Sequence, residues 1–290
     1  MMIDINPKEV NPVVLQGYLQ GAVGPRPIAF ASTVDSNGNP NLSPFSFFNV
    51  FSSNPPILVF SPARRVRNNT IKHTLINCQA TKEVVINIVT YEMVHQMSLA
   101  STEYPDGVNE FVKAGFTMVP SEKVKPFRVG ESPVQFECKV NDIIALGTEG
   151  GAGNLIICEV VKMYLSEAVL DENNQIDQRK IDLVSRMGGN WYSRANEGLF
   201  EIPKPLATLG LGVDAIPESI LKANFFTGNE LGMLGNIEAL PSQQDINDFV
   251  STHNEIAHIL EENPHHLFDL ARKELEKDQI SNAWKIILSK

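Results

Sequence analysis

The chain has 290 residues, 43% of them hydrophobic and 20% charged, which is enough apolar material for a real core and for one large domain or a domain with an appendage. Its 34 acidic and 24 basic residues leave a net charge of −10, a poor surface for nucleic acid. No apolar run reaches the ~18 residues of a membrane span and no basic segment followed by an apolar block opens the sequence, so the expected compartment is the cytoplasm.

Val13 to Gly21 predicts a short helix with Leu15, Tyr18 and Leu19 on one face. Ile28 to Val34 predicts a strand, rich in β-branched and aromatic residues, and Asn37-Gly38 a tight hairpin turn with positive φ at both centres. The return segment, Asn41 to Phe51, interleaves Ser43, Ser46 and Asn49 with Phe45, Phe47 and Phe48. Pro44 has no N–H for a ladder bond, so this segment predicts an irregular edge. Such an edge shows main-chain donors and acceptors beside hydroxyls and aromatic rings, which suits a flat, polar-rimmed heterocycle. The same spacing also fits a hairpin with a proline bulge and core phenylalanines. Ile57 to Phe60 predicts the next strand. A basic loop with Arg64, Arg65 and Arg67 then leads into a helix over Thr70 to Cys78. Arginines and asparagines before a helix start form either a phosphate seat or a solvated surface loop.

Further on, Val84 to Val89 predicts a strand, Tyr91 to Ala100 an amphipathic helix and Asn109 to Ala114 a short one. Residues 120–133 read as loop. Val134 to Leu146 and Leu155 to Leu170 predict two long strands, joined across Gly147 to Asn154, which includes the glycine-rich run Glu149 to Asn154. A strand follows those glycines, so they predict a hairpin loop rather than a nucleotide-binding turn, and no strand–helix alternation supports a Rossmann unit. Cys78, Cys138 and Cys158 stand alone at wide spacing, as buried reduced thiols do. His253 and His258 do not share a helix face, and with His265 and His266 they read as exposed helix histidines rather than a metal cluster. No catalytic residue and no metal ligand is predicted. The character changes at Pro203-Lys204-Pro205, dividing the chain into residues 1–202 and a mainly helical extension, 203–290. Turns are predicted at Leu209 to Gly212 and at Gly228-Asn229, and a helix capped by Ser242 over Gln243 to Glu262. Asn263-Pro264 stops that helix, and a last helical segment runs from Leu267 to Ile287.

Three blocks, PRPIAFAST (25–33), NLSPFSFFN (41–49) and SSNPPILVFSP (52–62), are followed by KHTLINC (72–78), EVVINIV (83–89), NEFVKAGF (109–116), ESPVQFEC (131–138) and RMGGNWY (186–192). In this order they resemble the flavin reductase-like family. The resemblance implies a mainly β fold, an FMN-binding split β-barrel with peripheral helices, here with a helical C-terminal extension. It implies FMN as cofactor, NAD(P)H as co-substrate, and a homodimer with the flavin at the subunit interface. Hydride would pass from NAD(P)H to bound FMN and on to a small-molecule acceptor, free flavin or a protein, with no side chain needed as acid or base. Carried onto this chain, Ser43, Phe45, Ser46, Phe47 and Asn49 border the ring, and Ser61, Arg65, Asn69, Lys72 and Thr74 hold the phosphate. One departure is His73, where relatives often carry an aspartate. Arg186 to Tyr192 resembles the family's closing block beside the flavin's open face; read without the family, it is a strand cap and a buried tryptophan. The competing expectations are a non-catalytic FMN carrier or sensor and a ligand-binding barrel without flavin.

Overall fold

The computed structural model describes residues 1–202, 209–223, 225–253, 256, 259 and 266–289. Two compact units make up the chain, Met1–Phe200 and Glu201–Lys290. The first is built on a seven-stranded antiparallel sheet, with helix α1 (Pro12–Ala22) preceding its first strand. Its strands are β1 (Ala29–Val34), β2 (Pro40–Phe45), β3 (Phe48–Ser53), β4 (Pro56–Phe60), β5 (Glu83–Ile88), β8 (Val134–Ala145) and β9 (Asn154–Leu165). Between β5 and β8 lie β6 (Met118–Val119) and β7 (Arg128–Val129), a small separate pair, and β10 (Val184–Arg186) and β11 (Tyr192–Arg194) form another.

Strand order is β2-β1-β5-β8-β9-β4-β3. The two edge strands are therefore consecutive in the chain, joined only by Ser46 and Phe47, and a sheet so connected must curl until its edges meet. Phe45 of β2 does reach Phe60 of β4 across the interior, with ring centroids 5.5 Å apart. The ladder of β2 runs to β1 and that of β3 to β4, so the barrel is split between β2 and β3.

The strand β1 is buried at all six positions because both its faces are covered. Ala29 and Ala31 point into the barrel with Phe45, Phe60, Val84 and Ile86. Ile28 and Phe30 point the other way, into a layer formed with α3 (Val94–Leu99), α4 (Glu110–Ala114) and their neighbours Met93, Phe111 and Phe116. The rings of Phe30 and Phe116 meet edge to face at 5.2 Å. Cys78, Cys138 and Cys158 are free and buried, and burial pushes the Cys78 thiol up to about 12. That keeps them packing groups rather than nucleophiles.

Three local expectations change. The return segment is two strands at opposite sheet edges rather than one. Pro44 sits inside β2, paired with Phe30, and is tolerated there because β2 is an edge strand. The turn after β1 is wider than a two-residue hairpin: only Gly38 takes positive φ, and Asp35 Oδ1 accepts hydrogen bonds from the Asn37 and Asn39 N–H groups, both at 2.8 Å. The helix expected from Thr70 begins at His73, as α2 (His73–Thr81), because Arg65 donates to the Thr70 hydroxyl at 3.0 Å and to the Ile71 carbonyl at 2.7 Å. Those bonds hold residues 69–71 in a loop, with Asn69 left-handed at φ 54°.

The second unit is helical. Trp284 is fully buried at its centre with Leu234, Leu267 and Ile286, and its indole donates to the Leu234 carbonyl at 2.8 Å. Gly228 opens a helix, Gly228–Gly235, rather than a turn, because Thr227 and Glu230 form a capping box. The helix capped by Ser242 is described over Gln243–Thr252, and among the described residues two further helices follow, His266–Glu276 and Ile280–Ile287. Pro203-Lys204-Pro205, Asn263-Pro264, His258 and His265 lie outside the described residues.

Candidate functional site

The basic loop and the start of α2 close against the edge strand β2. A small polar cleft there is lined by Asn41 and Ser43 of β2, Arg65 of the loop, Lys72 and Thr74 at the start of α2, and Glu103 and Glu110. Lys72 occupies the N-cap of α2 with extended backbone, and no side chain caps that end. The first N–H groups of the helix and its dipole therefore favour a negative charge. Thr74 is buried and donates from its hydroxyl to Asn41 Oδ1 at 3.1 Å, which ties the helix to β2. Glu110 is buried too and accepts from the Leu42 N–H at 3.1 Å. The cleft opens outward into a larger basin of about 690 Å³ bordered by Arg64, Arg67, Asn69 and Tyr104.

One carboxylate stands among these cations. Glu103 lies 3.0 Å from Arg65 Nε and 3.8 Å from Lys72 Nζ, and it also pairs with Arg67. Burial works against its ionisation, but the hydrogen bond from Arg65 and the charges of Arg65, Arg67 and Lys72 outweigh that and hold it below the usual carboxylate range. For Lys72 the balance runs the other way. Burial first, then the charges of Arg65 and Arg67, pull its ammonium below the ordinary lysine value despite Glu103.

Of the ten residues chosen from the sequence, Ser43, Arg65, Lys72 and Thr74 converge on this cleft. Asn69 stands at the outer basin, its amide bonded to Arg64 and to the Thr148 carbonyl of the glycine-rich β8–β9 loop. Ser61 is not brought to the cleft. Its hydroxyl accepts from the Asn154 N–H at 3.0 Å and its own N–H donates to the Phe47 carbonyl at 2.8 Å, so it braces the split in the barrel. The ring of Phe45 is likewise committed to the interior, against Phe60. Phe47 is exposed at the link between the edge strands, and Asn49 is exposed on β3. Ser46 faces a second cleft, across β2, lined also by Pro44, Ser98, Ser101, Arg186, Asn190 and Tyr192. Trp191, read from the sequence as a core candidate, is 77% exposed. Asn41, Glu103 and Glu110 were not singled out by sequence, although Asn41 and Glu110 fall within the blocks NLSPFSFFN and NEFVKAGF.

The comparisons with known proteins agree with this architecture. A model of the flavin reductase like domain matches residues 23–182. An uncharacterized protein of Aquifex aeolicus is 37% identical over 188 residues, covering 65% of this chain and 93% of its own. Among solved structures, nitrilotriacetate monooxygenase component B from Bacillus cereus superposes with a TM-score of 0.65 at 28% identity, over 70% of this chain and 99% of that one. The 2-nitrobenzoate 2-nitroreductase of Pseudomonas fluorescens gives 0.64 at 26% identity, over 72% and 100%. With the split barrel, the order of its blocks and the family match over the same stretch, the chain belongs to the flavin reductase-like family.

Proposed function

We propose that the chain is an FMN-dependent NAD(P)H oxidoreductase, passing hydride from NAD(P)H to bound FMN and electrons on to an acceptor. The convergence of Ser43, Arg65 and Lys72 on the uncapped start of α2 carries this reading. The donor set fits a phosphate monoester: the Arg65 guanidinium, held by Thr70, Ile71 and Glu103 through Nε and Nη1, an ammonium and helix N–H groups around one small polar cleft. Bound there, FMN would supply the two-electron acceptor for hydride and the donor to the final acceptor.

This chain's own part is to bind, orient and keep the electrostatics in place. Arg65 and Lys72 hold the phosphate, Thr74 and Asn41 fix the helix to β2, and Ser43, with Asn69 farther out, rims the approach. Ser46 and Phe47 belong to neither edge strand, so their main-chain groups are largely free of the ladder and border the ring with Asn49. Ser61 acts behind them by pinning the Phe47 carbonyl. Phe45 contributes through its main chain, since its ring is in the core.

A homodimer completes the proposal. Helix α1 has no buried residue and exposes Val13, Val14, Tyr18 and Leu19, while β3 exposes Val50 and Phe51. Apolar surface of this kind on one unit calls for a covering partner, and a second copy is the one proposed. The test of the reaction is anaerobic addition of NADH and, separately, NADPH to FMN-loaded protein. Bleaching of the yellow flavin by at least one of them is expected. Loaded protein that stays yellow with both overturns the oxidoreductase reading in favour of a carrier.

A further inference from the structure

The cleft on the far side of β2 has an electrostatic feature that the FMN seat does not use. Arg26 and Arg186 are bridged main chain to main chain, each N–H donating to the other's carbonyl at 2.9 Å. This pairs two arginines directly across a bridge, close enough for their charges to repel, in a protein of net charge −10. Neither has a carboxylate within ion-pair distance among the described residues, whereas Arg65, Arg128, Arg194 and Arg272 each do.

Arg26 is 7% exposed. It spends its N–H groups on the carbonyls of Gln20, Val23 and Met187, and its Nε lies 3.5 Å from Ser46 Oγ. Burial, and then the neighbouring charge of Arg186, draw its pKa down. The Arg186 guanidinium carbon lies over the Tyr192 ring, 4.5 Å from its centroid, and Nη2 donates to the Gly189 carbonyl at 2.8 Å. The rest of its fork lines a cleft of about 330 Å³ with Ser46, Ser98, Ser101 and Asn190. A guanidinium held over an aromatic ring, with a second, buried cation next to it in the main-chain bridge and hydroxyls and an amide around it, is preorganised for an oxyanion.

We propose that this cleft seats the phosphates of the hydride donor, with Arg186 as the group that binds them and Arg26 as a positioning residue that fixes Arg186 through the main-chain bridge. The assignment rests on the FMN reading above, because Ser46 separates this cleft from the proposed ring site. A reduced pyridine dinucleotide carries the required chemistry, an anionic pyrophosphate tethered to a nicotinamide that must reach the flavin.

The test uses the full-length FMN-loaded protein and its Arg186→Gln and Arg186→Lys variants. Oxidised FMN-loaded protein is titrated with NAD⁺, an equilibrium measurement without turnover, and FMN affinity is measured separately. Arg186→Gln is expected to weaken NAD⁺ binding about tenfold to a hundredfold, the usual worth of charge-assisted hydrogen bonds. Arg186→Lys, which keeps the charge but loses the fork, should recover part of it, and it serves as the readout if Arg186→Gln does not fold. Discrimination between NADH and the uncharged donor 1-benzyl-1,4-dihydronicotinamide should fall by a similar factor. Unchanged NAD⁺ affinity in both variants, with wild type still bleached by NADH or NADPH, overturns this assignment alone. Loss of FMN rather than NAD⁺ affinity moves Arg186 to the flavin seat and overturns it too. Wild-type protein bleached by neither nucleotide overturns the proposed reaction and the assignment with it.

Discussion

Glu103 holds a place that a phosphate would compete for. Its carboxylate pairs with Arg65, Arg67 and Lys72, the cations nearest the start of α2. A phosphate entering beside it meets a like charge, and part of the attraction from the cations is already spent. Glu103→Gln is therefore expected to raise FMN affinity by roughly threefold to tenfold and to leave riboflavin affinity alone, since riboflavin lacks the repelled group. Parallel fluorescence titrations with both flavins check this, and a loss of FMN affinity would mean that Glu103 orients the cations instead. Lys72 was legible because it opens a block that resembles the family, and Arg65 because it stands in the basic loop that leads into that block's helix. Glu103 was not: its partners are more than thirty positions away in sequence, and nothing local marks it. Burial was the other hidden quantity. Ser61 and Phe45 have the right chemistry in the right block, yet one hydroxyl is taken by Asn154 and one ring by Phe60.

The element that sets the site is the two-residue break between β2 and β3. Serine at 46 has no side-chain bond shorter than the 3.5 Å contact with Arg26, so Ser46→Ala should change FMN affinity little. Ser46→Pro deletes the main-chain N–H and fixes φ, and it should weaken FMN binding far more in a protein that still folds. Titration of both variants, with circular dichroism as the folding control, decides between side-chain and main-chain recognition. The brace behind this break gives a stability prediction. A Cβ at Gly153 would stand 2.7 Å from Ser61 Oγ, so Gly153→Ala must disturb the bond that the Asn154 N–H donates to Ser61 Oγ. A loss of about 1–3 kcal/mol in denaturant unfolding is expected. The strands themselves were readable from their β-branched, aromatic runs between turn residues. The break was not, because Phe45-Ser46-Phe47-Phe48 contains no glycine or asparagine to announce it, and only the closing of the barrel forces the chain to leave one edge and join the other.

At the scale of the whole molecule, the chain divides after Phe200, while the sequence changes character at Pro203-Lys204-Pro205. The helical unit has its own core around Trp284, so Trp284→Ala should cost that unit ~3–5 kcal/mol, read as a lowered unfolding midpoint in circular dichroism. Its helices were visible as apolar periodicity, but the Thr227–Glu230 box was read as a turn because Gly228-Asn229 is itself turn chemistry. The exposed apolar residues of α1 and β3 lead to a further expectation: light scattering should return twice the chain's 32.1 kDa. The central claim is that the loop and the start of α2 grip a flavin by its phosphate. The most direct measurement is titration of wild type and of Lys72→Ala/Arg65→Ala with FMN and with riboflavin. The account predicts that wild type prefers FMN, and that the double variant loses about tenfold to a hundredfold of FMN affinity per residue while its riboflavin affinity stays where it was. Equal affinity of wild type for the two flavins, or an unaltered FMN affinity in the folded double variant, would contradict it.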